Sequence, residues 1–346
     1  MIRVLPGVLA LAMLAWGGCA RAASGDVIVP NADQLKAIAA GTNDFAAMGR
    51  AGSLLRIQAN ASYNVALPSG ALNAGARQQI AALVLQELGD HYDFIVVAPV
   101  MQVNLGEGIR GLHWQVHNDV QGIGRPLLDL RTQFGGAQRL KAVIDLDESI
   151  LPVSFTSAEY DSLLDTLMHE VMHQWGSYVP LLVSGSPLAT PSSHWSSRYD
   201  SNASVMFGAR WQGLDGQRWR QVKIRDGFGP LDLYLAGFIP QSELPSTRYL
   251  LTDELQGGEF PQLGRTVQAE ERWVTAQELV TALGPRVPDH GQAQRDFAAA
   301  LVSLEPVGFP AAAADLDRLE LLRGQAQNRF AALTGGRARL DLGIQI

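Results

Sequence analysis

The chain is 346 residues long and carries 27 Lys and Arg against 34 Asp and Glu, a formal charge of −7, with a single cysteine. That balance, with no dense basic run, argues against a nucleic-acid partner, and one cysteine excludes an internal disulfide framework. Only 18 % of residues are charged and 47 % are hydrophobic, enough apolar material for one large domain or two smaller ones.

Residues 1–22 read MIRVLPGVLALAMLAWGGCARA. Arg3, the apolar run from Val4 to Trp16 and the small-residue site Ala20-Arg21-Ala22 have the layout of a secretory signal peptide. The run is too short for a retained span, and no other apolar stretch approaches that length, so no stable membrane span is expected. The mature chain is expected to be secreted or periplasmic. Cys19 lies in this leader, and Gly17-Gly18-Cys19 offers lipidation as a second route, although Trp16 stands where such sites usually carry leucine.

Residues 24–60 mix short apolar pieces with turns. Residues 76–89 (ARQQIAALVLQELG) predict a helix, and 92–100 (YDFIVVAPV) a buried strand directly after it. Residues 111–120 alternate like a strand, and 141–146 (KAVIDL) read as another. His113 and His117 share parity and are expected near a cleft rather than on a metal, since no carboxylate accompanies them at helical spacing.

Residues 157–176 (SAEYDSLLDTLMHEVMHQWG) predict a helix with Thr156 or Ser157 as its N-cap and a glycine at its end. Tyr160, Leu164, Leu167, Val171 and Trp175 form one apolar stripe, with Ser162, Asp165, Thr166, His169 and His173 roughly opposite. Within it, residues 169–173 read His-Glu-Val-Met-His. One turn apart, His169 and His173 can grip a single metal ion, and Glu170 is placed to take a proton from a water that the metal activates. A metal would also supply the partners that buried polar groups need. Asp165, one turn before His169, reads either as an acceptor orienting that ring or as a solvated helix carboxylate.

The string HEVMHQWG resembles the active-site helix of the zincin metallopeptidases, and Gly176 stands where the metzincin signature HExxHxxGxxH places the glycine that lets the chain turn sharply. The resemblance covers residues 140–240. Ser204-Val205-Met206-Phe207 is similar to a Met-turn, in which a methionine lies beneath the metal. Residues 229–240 (GPLDLYLAGFIP), with the His-Trp-Ser before the methionine, resemble secreted bacterial zincin-like proteins. One position departs: the third histidine of the signature falls at Val179, which cannot bind zinc. The resemblance implies an α+β, zincin-like fold, a mixed sheet packed on the HExxH helix, zinc as cofactor, and peptide-bond hydrolysis.

A catalytic zinc takes three protein ligands and keeps a fourth position open. Residues 181–204 read as a long Ser/Gly/Pro-rich loop able to fold back over the helix. His194 is the first choice for the third ligand and Asp200 the second. Tyr199, and after it Tyr178, are nominated to stabilise an oxyanion, each having a purely structural alternative. Met206 reads equally as the base of the site or as an ordinary core residue. His91 and His290 carry no readable signal.

Residues 239–268 are turn-rich, and helices are predicted at 275–283, 292–304 and 311–333. The expected organisation is a zincin-like domain at 23–240, then a mainly helical part at 241–346 packed on it. The expected function is a secreted, monomeric zinc metallopeptidase acting on protein or peptide substrates aligned along an edge strand. Zinc would sit on His169, His173 and His194, with Glu170 as general base and Tyr199 assisting. The alternatives are an exported binding or structural protein that keeps the fold without catalysis, and a zinc hydrolase of a non-peptide amide or ester.

Overall fold

Apolar runs without polar interruption become the inner strands of one mixed sheet. A computed structural model describes residues 27–28, 45–59, 63, 72–106, 108–136, 138–147, 158–256 and 258–344. The strands of this sheet are β1 (Val27–Ile28), β2 (Phe45–Ala51), β3 (Leu54–Ala59), β4 (Phe94–Pro99), β5 (Gly111–Gln115), β6 (Ala142–Leu146), β7 (Asp296–Pro306) and β8 (Arg339–Leu342). Their order is β1-β5-β6-β4-β7-β3-β2, with β8 alongside β7. The centre is parallel, β6 to β4, β4 to β7 and β7 to β3. β5 runs antiparallel to β6, pairing Gly111 with Leu146 and Gln115 with Ala142.

Parallel strands need both faces covered, and alternation along each strand sends side chains to two cores. Phe94, Val96, Ala142, Ile144, Phe297 and Leu301 face one side. Ile95, Val97, Val143, Ala298, Ala300 and Val302 face the other. The first side is covered by α2 (Ala158–Met172), through Leu163, Leu167, Met168 and Val171, and by α5 (Ala313–Leu333), through Leu319, Leu322, Ala326 and Phe330. The second is covered by α1 (Ala74–Leu88), through Ala76, Ile80, Val84 and Leu85. Each fully buried side chain of this size contributes roughly 1.5–3 kcal/mol before entropy is set against it. Two short helices, α3 (Pro230–Ala236) and α4 (Ala276–Leu283), complete the five helices among the described residues of an α+β fold.

The helices predicted at 76–89, 275–283 and 311–333 correspond to α1, α4 and α5, and the strands at 92–100 and 141–146 to β4 and β6. Residues 292–304 are a correction: they hold most of β7, a strand. Ala298, Ala299 and Ala300 are 6, 1 and 0 % exposed and are sandwiched between helices on both sides of the sheet. A strand buried on both faces loses its period-two signature, and its alanines then read as helix formers. The part beyond 240, expected to be mainly helical, therefore supplies the strand between β4 and β3.

The leader at 1–22 with Cys19, and the N-cap at Thr156 or Ser157, lie outside the described residues. Among the described residues, no helix is long and apolar enough to cross a membrane. β1 pairs in parallel with the outer edge of β5, Val27 beside His113 and Ile28 beside Trp114, so that edge is engaged by the chain itself at these positions.

Candidate metal centre

The site grows from the C-terminal end of α2. Its last turn tightens: Gln174 donates to the Val171 carbonyl at 3.1 Å and Trp175 to that of Met172 at 2.9 Å. His169 and His173, one turn apart, are 4 % and 0 % exposed. The second ring nitrogen of each fixes its tautomer. His169 Nδ1 is 2.7 Å from the Val205 carbonyl oxygen, and His173 Nδ1 is 3.3 Å from that of Gly176. A carbonyl can only accept, so both Nδ1 atoms carry the proton and both Nε2 atoms carry a lone pair. Yet these Nε2 atoms lie 3.0 Å apart, and His194 Nε2 is 3.2 Å from that of His169. Facing lone pairs in a buried site repel unless a cation sits among them. Burial, then the neighbouring His169 and His194, hold the His173 imidazole well below the ordinary histidine range. The three histidines form a buried group that could hold a metal ion.

His194 reaches this point through a loop tied down at several places. Trp195 donates its backbone N–H to Met206 O at 3.0 Å and its indole N–H to Asp232 Oδ1 at 2.8 Å. Asp232 is buried in α3 and also accepts from Gly229 N at 2.6 Å and from Ser204. Burial raises its carboxyl to about 6. Residues 204–207 thus hold two of the histidines through the backbone: Val205 O accepts a hydrogen bond from His169 Nδ1, and Met206 O anchors the residue after His194. Met206 itself is fully buried. Phe207 lies 4.8 Å from the His169 ring and 4.2 Å from the His194 ring. It does so with φ +58, as Ser193 beside His194 does with φ +64. Such left-handed non-glycine residues are uncommon and gather at functional sites.

Glu170 lies against β5. A Cβ built on Gly111 would come within 2.8 Å of both Glu170 Cγ and Oε1, so glycine is what leaves room for the carboxylate. Two residues on, His113 donates its Nδ1 proton to the Glu170 carbonyl at 2.6 Å, capping the tightened helix end. Burial, then the positive charge of Arg125, lowers the His113 imidazole to about 3. From behind, Tyr178 donates its hydroxyl proton to His173 O at 2.6 Å. Arg125 donates to the same carbonyl at 3.2 Å and to the Tyr178 hydroxyl at 2.8 Å. Arg125 lies 48 residues before His173 in a turn-rich stretch, and no sequence signal marks it. Gly111 did carry a signal, a glycine opening a strand.

In front lies a cleft of about 470 Å³. His169, Glu170, Thr166, Asp161 and Asp165 line it from α2, Gly108, Arg110 and Gly111 from the β5 side, and Val205, Phe207, Ile224, Arg225, Asp226 and Phe260 complete it. Asp165 is paired with Arg329 of α5 at 2.8 Å, and the His169 ring is oriented instead by Val205 O. Asp200, the second choice for a ligand, bonds Arg248 at 3.3 Å. Tyr199, nominated for an oxyanion, is placed in another cavity than His169 and Glu170. It is 2 % exposed, packs against Trp195 at 5.2 Å between ring centres, and lines a separate cavity of about 240 Å³ with Asp200 and Arg248. Its apolar ring is claimed by the packing of the loop that carries His194. Val179 is 2 % exposed, and Gly176 has no left-handed φ. His117 lies away from the site, in a cavity with Asp119 and Arg131. No family model, curated protein or solved structure matches the chain.

Proposed function

We propose that the chain is an exported zinc-dependent metallopeptidase with a zincin-like fold, the zinc held by His169, His173 and His194. The observation that carries this reading is the convergence of three buried imidazoles, with His169 among them lining an open cleft beside Glu170. Tetrahedral ligation at about 2.0–2.1 Å needs nitrogens about 3.3 Å apart, and separations of 3.0 and 3.2 Å suit it. An all-imidazole set suits zinc far better than calcium or magnesium, which take oxygen ligands. When bound, zinc supplies a Lewis acid for the scissile carbonyl and brings the pKa of a water to about 7.

Glu170 accepts the proton of the attacking water and passes it to the leaving amine. A fully structural zinc site would be closed by four protein ligands, whereas three histidines, of which His169 lines the cleft beside Glu170, support an open position. Gly111 gives the carboxylate its place, and His113, Arg125 and Tyr178 hold the backbone that carries it. Phe207 and Phe260, 4.9 Å apart in a T-shaped pair, give the opposite wall an apolar surface suited to a hydrophobic side chain of the substrate.

Metal content, and cleavage of unfolded casein before and after chelation, test the proposal. The protein should carry close to one zinc per chain, lose activity with a chelator and regain it with zinc. Glu170→Gln should keep the metal and lose at least about 10²–10⁴-fold in turnover. Wild type and variant equally inert on diverse peptides and unfolded proteins would overturn the reading.

A further inference from the structure

Residues 209–225 form a β-hairpin, Ala209–Gly213 antiparallel to Arg218–Ile224, in a small three-stranded sheet. In a chain of net charge −7, these seventeen residues carry Arg210, Arg218, Arg220, Lys223 and Arg225 against one carboxylate, Asp215, a local net of +4. All five cations are exposed. Spread over seventeen positions they make no basic run, and only the hairpin brings them together. Arg210 and Lys223 are direct cross-strand partners, a like-charge pairing that costs stability. Lys223 pairs with Asp226, but Arg218, Arg220 and Arg225 make no ion pair with a carboxylate among the described residues. Other arginines of the surface do: Arg131 with Asp129, Arg139 with Asp93, Arg337 with Glu243. Unmatched charge concentrated on one element at a stability cost points to a ligand that supplies the opposite sign.

The hairpin is continuous with the metal cleft. Ile224 and Arg225 line that cleft, and Arg225 lies 5.9 Å over the ring of Phe207, which packs on the metal-site histidines. Along the strand, Val222, Arg220 and Arg218 share the exposed face, while a bulge opposite Arg210 and Trp211 turns Ile224 to the other face, where, like Trp219, it packs against the cluster of Ala209 and Trp211. Side chains on such a face recur at about 6.7 Å, the spacing of alternate residues in an extended peptide. Within the hairpin, the half-buried Trp219 is already covered by the Arg248 guanidinium at 4.2 Å, and its indole N–H donates to Ala269 O. An open aromatic face for stacking bases is therefore missing there. The hairpin tip carries Asp215 beside Leu214, which opposes insertion into an anionic membrane.

We propose that the outer face of this hairpin extends the cleft as a binding surface for an acidic, extended polypeptide segment, an inference that rests on reading the cleft as a peptidase site. The substrate places an apolar residue against the exposed Val222 and acidic residues two and four positions further along, facing Arg220 and Arg218.

The test uses the full-length Glu170→Gln protein, so binding is read without hydrolysis and independently of whether the wild type cleaves anything. Two fluorescein-labelled decapeptides are compared by anisotropy, each with a leucine near one end and then alternate glutamates or, in the second, glutamines. The glutamate peptide should bind at least tenfold more tightly at low salt, with the preference reduced to less than threefold in 0.5 M NaCl, where charges are screened beyond about 4 Å. Adding Arg218→Glu and Arg220→Glu, both on exposed positions, should remove the preference while the zinc content and melting temperature stay unchanged. Equal affinity for the two peptides would overturn the proposal. So would tighter binding of single-stranded DNA, of a sulfated polysaccharide or of phosphatidylglycerol vesicles at matched charge. Peptide preference with no hydrolysis by the wild type would sustain the surface and reject the peptidase reading instead.

Discussion

On the proposed reading, single residues separate holding a zinc ion from using it. His194 comes from a loop 25 residues away from His169, and its ring contributes the third nitrogen at 3.2 Å. Gly111 touches no ligand and only makes room for Glu170. The two substitutions should therefore dissociate. His194→Ala should weaken zinc affinity at least about tenfold, measured by competition with a chromogenic chelator. Gly111→Ala should leave that affinity within about twofold, because the histidines are untouched, but should lower kcat, since a general base works only from the right position and its full loss costs about 10²–10⁴-fold. Unchanged turnover in Gly111→Ala would show that Glu170 finds another place to stand.

At the scale of elements, α2 brings His169 and His173 together by its own periodicity, but the placing of His194 depends on Asp232, which joins α3 to the loop through Trp195, Ser204 and Gly229. Its carboxyl is raised from 3.8 to about 6 by burial. The folded state therefore binds this proton more tightly than the unfolded chain does. The contribution to stability is fully present below about pH 4 and is lost as pH rises through about 6. Two pKa units correspond to about 3 kcal/mol. Urea unfolding of the zinc-free protein should thus show the advantage of wild type over Asp232→Asn shrinking by about 2–3 kcal/mol between pH 4 and pH 7. A constant difference across that range would mean that the three donors around Asp232, rather than its burial, set its charge.

The same elements explain what was legible in the sequence. His169, Glu170 and His173 were readable because one helical turn places them together, and α1 and α5 because their helical composition is strong. β4 and β6 were readable as short apolar runs. His194 was a choice between two residues of a loop, made by ligand chemistry alone. Arg125, Gly111 and Asp232 act across 37 to 59 positions of sequence on backbone carbonyls, a side chain and an indole. Such contacts have no period and no motif. The hairpin cations escaped for the same reason, since strand pairing, not adjacency, assembles them.

For the whole molecule, the misread segment at 292–304 carries the largest consequence. As a helix it would have belonged to a separate helical part beginning at 241. As β7 it pairs with β4 on one edge and with β3 on the other, and its side chains enter both cores. A chain ending at residue 240 keeps His169, Glu170, His173 and His194. It loses β7, β8 and α5, and with them Leu301, Leu319, Leu322, Phe297 and Phe330 from the core that supports α2. β4 and β3 would expose unpaired inner edges, and Val96 and Leu167 would face water. Losing five large buried side chains exceeds the 5–15 kcal/mol by which a domain is usually stable. The truncated chain should therefore show no cooperative unfolding transition, bind a hydrophobic dye, and hold zinc far more weakly than the full chain. Cooperative unfolding of residues 23–240 with one tightly bound zinc would instead establish a self-sufficient metal domain to which the C-terminal part is an addition.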